Sequence, residues 1–389
     1  MGRLLSKQGR LMLLNSALTS TTTYYLMMFA ANPWAIKRID KVRRSFLWGF
    51  EDGARGGGKC MVNWKRICSP LNVGGLGIKD LKAFNRALRL RWLWIIWSDE
   101  ERPWDGTEVP CDTIDRDVFA ACTQVSLGNG NRCRFWTDSW IDGKSPKSLA
   151  PSLFRLARRK QLSVKDALAN GRWMKGLCRM ESAEQMDQFF YLWSKAKSVT
   201  LSTEPDAIKW SLTADGAYSA KSAYEIQFLA RTLQPALEQV WRFRAEPKVR
   251  FHCWLLLQGR VWTKDRLERR GLTTQSRCPL CDQTTESAPH LSLLCPFARE
   301  VWHETRSTHR ELAEMTSAAT SFDVWWTRVQ GYNKCKEERT WASMVAYVLW
   351  NIWKERNRRI FEGKAATPAV VAGFAREEFS LFILASKFG

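Results

Sequence analysis

Histidine is scarce in this 389-residue chain, with four in all. The arrangements that turn histidine or serine into a catalyst are missing too: there is no HExxH pair and no GxSxG elbow. Acidic residues are also in short supply, 39 against 60 Lys and Arg, which leaves a formal charge of +21. A surface so one-sided selects polyanions as partners, nucleic acid ahead of an anionic membrane. No apolar run is long enough to span a bilayer. Behind Arg3, Lys7 and Arg10 the first apolar stretch is broken by Asn15, Ser16 and the run from Thr19 to Thr23, which spoils it as a signal core. The opening MGRLLS fits a myristoylation pattern and is read as coincidence. No repeat of solenoid period is present.

What the chain does have is cysteine, 11 residues. The count is odd, and eight of them (Cys60, Cys68, Cys111, Cys122, Cys133, Cys178, Cys253, Cys335) are scattered without a disulfide framework. That usage points to a reducing compartment, nuclear or cytoplasmic, and against secretion. The other three join a histidine in the pattern Cys278-x2-Cys281-x8-His290-x4-Cys295. Two thiolates from one tight turn and a His/Cys pair about one helical turn apart can close a tetrahedron around zinc. Four protein ligands leave no open position, so the expected role of the zinc is structural. Pro279 and Pro296 suit a knuckle turn and a helix boundary, and Leu291, Leu293 and Leu294 can pack beneath the ion. His303 competes with His290 as the nitrogen ligand; His290 is preferred. The alternative is a chance coincidence of ligand-type residues.

Positive charge is concentrated in two places. Residues 1–102 hold 18 Lys and Arg against 7 Asp and Glu. Ahead of the cysteines, Arg242, Arg244, Lys248, Arg250, Arg260, Lys264, Arg266, Arg269 and Arg270 face only Glu246, Asp265 and Glu268. Trp241, Phe243, Phe251, Trp254 and Trp262 are interleaved with them. Basic side chains can hold phosphates while aromatic rings stack on bases. The competing assignment makes the rings core and the charges a solvated face.

Periodicity gives a predominantly helical α+β chain. The spacing predicts mixed helical signals over residues 4–31 ended by Pro33, a helix from Ile36 to Trp48, and another from Leu81 to Trp97 with Phe84, Leu88, Trp92 and Ile96 on one face. That face is read as core ahead of a partner-binding or membrane-surface role. GNGN at 128–131 and the Asp215–Gly216 turn predict two hairpins, the second using Ile208–Leu212 and Ala217–Ser219. Ser219 is placed to cap a helix from Ala220. A long helix is expected from Glu337 to Glu362, with a stripe of Trp341, Val345, Leu349, Ile352 and Trp353 ahead of Lys354, Arg356, Arg358 and Arg359. The segment from Gly53 to Lys59 has the spacing of a phosphate-binding loop, but Cys60 stands where magnesium needs Ser or Thr, so it is read as a basic surface loop.

Several long motifs in order carry a family resemblance over nearly the whole chain. They are LLSKQGRLMLLNSALTSTTTYYLMMFAANPW, RRSFLWG, VNWKRICSPLNVGGLGIKDLKAFNRALRLRWLW, LGNGNRCRFWTDSWIDG, DGAYSAKSAYEIQF, PKVRFHCWLLLQGRVWTKDRLERRG, CPLCDQTTESAPHLSLLCPFAREVW and LWNIWKERNRRIFEG. Together they resemble the region after the polymerase core in reverse transcriptases of plant non-LTR (LINE-type) retrotransposons, including the reverse-transcriptase zinc-binding domain. The resemblance implies four regions: 1–102, a helical region following the polymerase core; 103–205, a linker with short strands; 206–305, the zinc-binding domain; and 306–389, a helical tail. It carries the zinc-ligand role onto Cys278, Cys281, His290 and Cys295.

The Tyr/Phe-x-Asp-Asp turn that holds catalytic metals in such polymerases is absent from this sequence, and no endonuclease region is recognisable in it. The chain is therefore expected to be a non-catalytic, truncated element remnant that binds RNA, DNA or both, with the polymerase part of the parent element as a further partner and no membrane. The alternative expectation is a zinc-stabilised protein-interaction module whose basic charge is incidental.

Overall fold

The computed structural model describes residues 5–49, 60–99, 107–273, 275–305, 314, 316, 319, 321–331 and 338–386. The loop expected from Gly53 to Lys59, Cys335 and the first residues of the myristoylation-like pattern lie outside them. Helices dominate, accompanied by one two-stranded antiparallel sheet, so the chain is α+β and predominantly helical. No helix among the described residues is long and apolar enough to cross a membrane. The chain forms two compact units, each assembled from separated segments: Met1–Leu18, Asp40–Lys79 and Arg231–Gly389 make the first, Thr19–Ile39 and Asp80–Ala230 the second. The Asp80–Ala230 segment of the second unit runs through residues 102 and 205, and the Arg231–Gly389 segment of the first runs through residue 305.

The first unit is built around the helix Glu338–Phe361. Its expected stripe is real: Val345, Leu349 and Ile352 are buried and Trp341 and Trp353 half-buried. Met344, Ala346, Tyr347 and Val348 are buried as well, so this part of the helix is apolar almost all round, as a central helix must be. It packs between the helices Pro247–Leu257 and Pro368–Ala385. The same core takes in Trp254, Trp302 and Trp325, each almost wholly removed from solvent.

In the second unit the helix Leu81–Ser98 starts where expected, because the Asp80 carboxylate accepts from the backbone N–H of Lys82 and Ala83. Its deepest face is Ala83, Ala87, Leu90 and Leu93, while Phe84, Leu88, Trp92 and Ile96 flank it half-buried. Arg86 and Arg89 both turn inward to the fully buried Asp115, at 3.0 and 2.9 Å. Pro33 does not end a helix but opens one, Pro33–Trp48. Its missing N–H and fixed φ cost nothing in a first turn, and the Asn32 side chain accepts from the Trp34 N–H at 2.8 Å.

Both expected hairpins are replaced by longer-range arrangements. Strand β1, Thr123–Ser126, pairs antiparallel with β2, Ala207–Trp210, in the register Thr123↔Trp210. β2 thus finds its partner some eighty residues upstream, not in Ala217–Ser219. Ser219 does cap the helix Ala220–Glu225, accepting from the Ser222 N–H. The 128–133 segment wraps round the Asp206 carboxylate instead of pairing as a ladder. Oδ1 accepts from the N–H groups of Gly128 and Gly130 at 2.8 and 2.9 Å, and Oδ2 from those of Arg132 and Cys133, both at 3.0 Å. Gly128 is required there, since a Cβ would lie 2.1 Å from the Glu204 carbonyl oxygen. Residues 103–205, expected as a linker, include the aromatic core of Phe135, Trp136, Trp140 and Trp173 closed by Leu153 and Leu192.

Burial pushes the Asp206 carboxyl up, but the four backbone donors outweigh it and hold the group below its ordinary value of 3.8. A depressed carboxyl pKa supplies stability that is complete above the unfolded value and lost as pH falls through the folded one. Asp206→Ala orphans four N–H groups and should cost at least about 3 kcal/mol at neutral pH. Denaturant unfolding across a pH series checks this: the difference between wild type and variant should shrink below about pH 4.

Candidate zinc centre and basic surface

Residues 276–286 form a small hairpin in which Arg277 bridges Thr285, the Cys278 N–H donates to the Thr284 carbonyl at 2.8 Å and the Glu286 N–H to the Ser276 carbonyl at 2.7 Å. Asp282, at φ 54°, turns the chain back after Cys281. The other two ligand candidates bracket a five-residue π-type turn, His290–Leu294, closed by the Cys295 N–H on the His290 carbonyl at 2.7 Å. Leu291 and Leu293 are buried and anchor this turn, with Leu294 half-buried beside them. Pro296 then opens the helix Pro296–Glu304 directly behind Cys295.

These two pieces bring the donor atoms of Cys278, Cys281, His290 and Cys295 within 4.8 Å of one another. The Cys278 and Cys295 sulfurs are 4.0 Å apart, and His290 Nε2 is 3.4 Å from the Cys281 sulfur. Thiolates sharing one tetrahedral zinc at about 2.3 Å would stand roughly 3.8 Å from each other, so the spacing fits. Cys278 and Cys295 are buried, Cys281 and His290 half-buried. A hydrogen bond from Cys295 holds the Cys278 thiol well below its usual range, and the same contact pushes Cys295 up. His290 is raised chiefly by its bond to Cys278. Zinc, the cofactor of this domain type, would replace those shared protons; its role is to hold the two chain segments together. His303 is exposed on the Pro296–Glu304 helix and takes no part.

Sequence reasoning missed the residues that hold this knuckle from outside. The Thr284 hydroxyl packs against the His290 ring, 3.2 Å from Nδ1 and 3.4 Å from Nε2. The Arg359 guanidinium donates to the Leu280 carbonyl at 3.0 Å, inside the Cys278–Cys281 turn, and stacks 4.5 Å from the Phe297 ring. Arg356 and Glu286, both buried, pair at 2.7 Å. Arg356 also donates to the Trp262 carbonyl, at 3.1 Å, and the Lys264 N–H donates to Glu286, also at 3.1 Å. The basic end of the Glu338–Phe361 helix is thus spent internally: Arg358 and Arg359 pair with Glu355, and Lys354 with Glu378.

The nine basic residues expected to touch nucleic acid do not form one surface. Arg242 pairs with Glu238 at 2.5 Å and Lys248 with Glu246 at 2.8 Å. Arg244 reaches the Ser386 hydroxyl, and Arg250 is half-buried on the Trp241 carbonyl. The other five cluster. Lys264 and Arg266 lie on the short helix Lys264–Glu268, Arg269 and Arg270 follow it, and Arg260 precedes it. Arg266 and Arg270 stack on Trp262, 5.5 and 4.6 Å from the ring centre. Arg266 is buried, one of its terminal nitrogens has no protein partner, and its pKa is lowered by burial and by Arg260, Arg270 and Arg269. Asp265 is engaged by Arg269. Of the interleaved rings, Phe243, Phe251 and Trp254 are core; Trp241 and Trp262 are half-buried.

Residues 218–302 match the family described as zinc-binding in reverse transcriptase. A protein of Arabidopsis thaliana named "Putative ribonuclease H protein At1g65750" is 26% identical over 391 aligned positions, covering 92% of this chain and 61% of that protein. The chain thus spans about three-fifths of the length of this relative. The matched segment holds all four ligand candidates and coincides with the part of the chain that the motifs liken to a reverse-transcriptase zinc-binding domain.

The geometry makes the centre testable. Purified protein should carry one zinc by elemental analysis, and Cys278→Ser should abolish it. Thr284→Val should loosen zinc by about 10- to 100-fold in chelator competition. Arg356→Ala, which leaves Glu286 buried and unpaired, should cost about 3–5 kcal/mol in denaturant unfolding.

Proposed function

We propose that the chain is a nucleic-acid-holding part of retroelement-type reverse-transcription machinery. Its zinc-organised segment presents Arg260, Lys264, Arg269 and Arg270 to the phosphates of RNA or DNA, with Arg266 buried behind them, and performs no chemistry on them. Cys278, Cys281, His290 and Cys295 are the zinc ligands in this reading, and the zinc is structural.

The observation that carries the proposal is the Arg266–Trp262–Arg270 stack. Two like charges are held against one indole, with Arg266 buried and incompletely satisfied. Self-repelling guanidiniums are costly without a counter-charge, and an approaching phosphate supplies one. The kinship supports the reading, since reverse transcriptases and ribonucleases H both work on nucleic acid. Arg242, Lys248 and Arg250 are left out of the proposal, because none is among the cations that crowd Arg266 or stack on Trp262.

A second reading, as a zinc-stabilised protein-interaction module, draws on a separate observation in the other unit. Tyr24, Tyr25, Phe29 and Trp34 are all exposed, and clustered aromatics of this kind mark protein interfaces.

Binding of the full chain to single-stranded RNA across a salt series separates the two. Under the first reading log affinity falls linearly with log salt, each neutralised phosphate contributing about −0.7 to the slope. The double variant Arg260→Ala/Arg269→Ala should reduce the slope by about 1.4 with zinc content unchanged. Affinity that is weak and flat with salt would favour the protein-interaction reading.

A further inference from the structure

Within the first unit a cavity of 260 Å³ lies behind the arginine cluster. Three indoles and one imidazole, Trp262, Trp350, Trp353 and His252, line it together with apolar side chains such as Phe251 and Leu255 and a few polar ones. His252 sits on the Pro247–Leu257 helix and is 5% exposed. Its ring lies 5.3 Å from Trp350 and 5.7 Å from Trp353, nearly parallel to the latter at 30°. Neither ring nitrogen has a hydrogen-bond partner in the protein. Burial lowers its pKa to about 3, so at neutral pH it is an uncharged imidazole with one donor and one acceptor. Buried polar atoms are nearly always satisfied, so two free positions on one ring that lines a cavity call for a ligand with matching groups. Lys7 and Lys248 also line this cavity.

We propose that this cavity receives one unstacked nucleobase of a single-stranded nucleic acid whose backbone runs over Arg260, Arg269 and Arg270. The proposal rests on the nucleic-acid reading above and adds to it where a base is held. Three features select a base over other ligands. Flat aromatic walls suit a flat heteroaromatic ring. A neutral imidazole offers the donor and acceptor that a base edge offers in return. Trp262 belongs to both sites, lining the cavity while carrying Arg266 and Arg270 on its ring, so a phosphate held at the arginines brings its own base to the opening.

The test compares the full zinc-loaded chain on two strands of equal length and charge, one carrying bases and one made only of abasic sugar-phosphate. The base-bearing strand should bind roughly 5- to 150-fold tighter, the range for stacking one base. A 2-aminopurine in that strand should lose fluorescence on binding. His252→Phe keeps an aromatic ring against Trp350 and Trp353 but removes both polar positions; with zinc content and melting temperature intact, it should narrow the preference for bases and leave the salt slope unchanged. Equal binding of both strands with a steep salt slope would overturn this proposal while leaving the nucleic-acid reading in place. No salt-dependent binding of either strand would overturn both. Saturation by a free nucleoside monophosphate, with no preference for bases in the strand, would assign the cavity to a mononucleotide and overturn the strand assignment.

Discussion

Glu286 is the point on which the zinc-bearing unit turns. Its buried carboxylate receives the Arg356 guanidinium at 2.7 and 3.0 Å and the Lys264 N–H at 3.1 Å, while its own backbone closes the Cys278–Cys281 hairpin. One side chain therefore ties the metal knuckle, the first turn of the arginine-bearing helix and the central helix of the core together. A buried ion pair of this kind contributes little net stability over an apolar replacement. Its value here is positional, because the carboxylate can satisfy both partners only in one mutual arrangement.

That arrangement explains why metal, charge and cavity lie close together. Arg356 donates to the Trp262 carbonyl and packs over Trp353, so it braces two of the indoles that line the cavity. Arg359, one turn on, reaches into the knuckle itself. The zinc centre consequently does more than cross-link its own hairpin, since loosening it would free the hairpin that carries Glu286 and, with it, the spacing of the arginines on Trp262. A structural metal can thus govern binding without touching the ligand.

The family match ends at residue 302, yet the packing of that domain does not. Residues 338–361 supply Arg356, Arg359, Trp350 and Trp353 and a large share of the apolar core. Read along the sequence, Lys354, Arg356, Arg358 and Arg359 look like a solvated basic patch; in the fold each has an acidic partner. Part of the +21 charge is therefore compensated inside the fold.

Local chemistry was legible in the sequence because its causes are local. The ligand spacing of Cys278, Cys281, His290 and Cys295, the apolar stripe of Val345, Leu349 and Ile352, and the cap at Ser219 all depend on residues a few positions apart, where chain geometry leaves little freedom. The same reasoning failed at Asp206, which drew the 128–133 segment away from a hairpin, and at β2, whose partner is far upstream. It failed also at His252, Glu286 and Arg356, which look unremarkable until the fold brings them to their neighbours. Electrostatics and burial act through space, so the candidate ligand set could be read from sequence spacing, whereas which basic residues are paired internally, which aromatics become core and which line a cavity were decided only by tertiary packing.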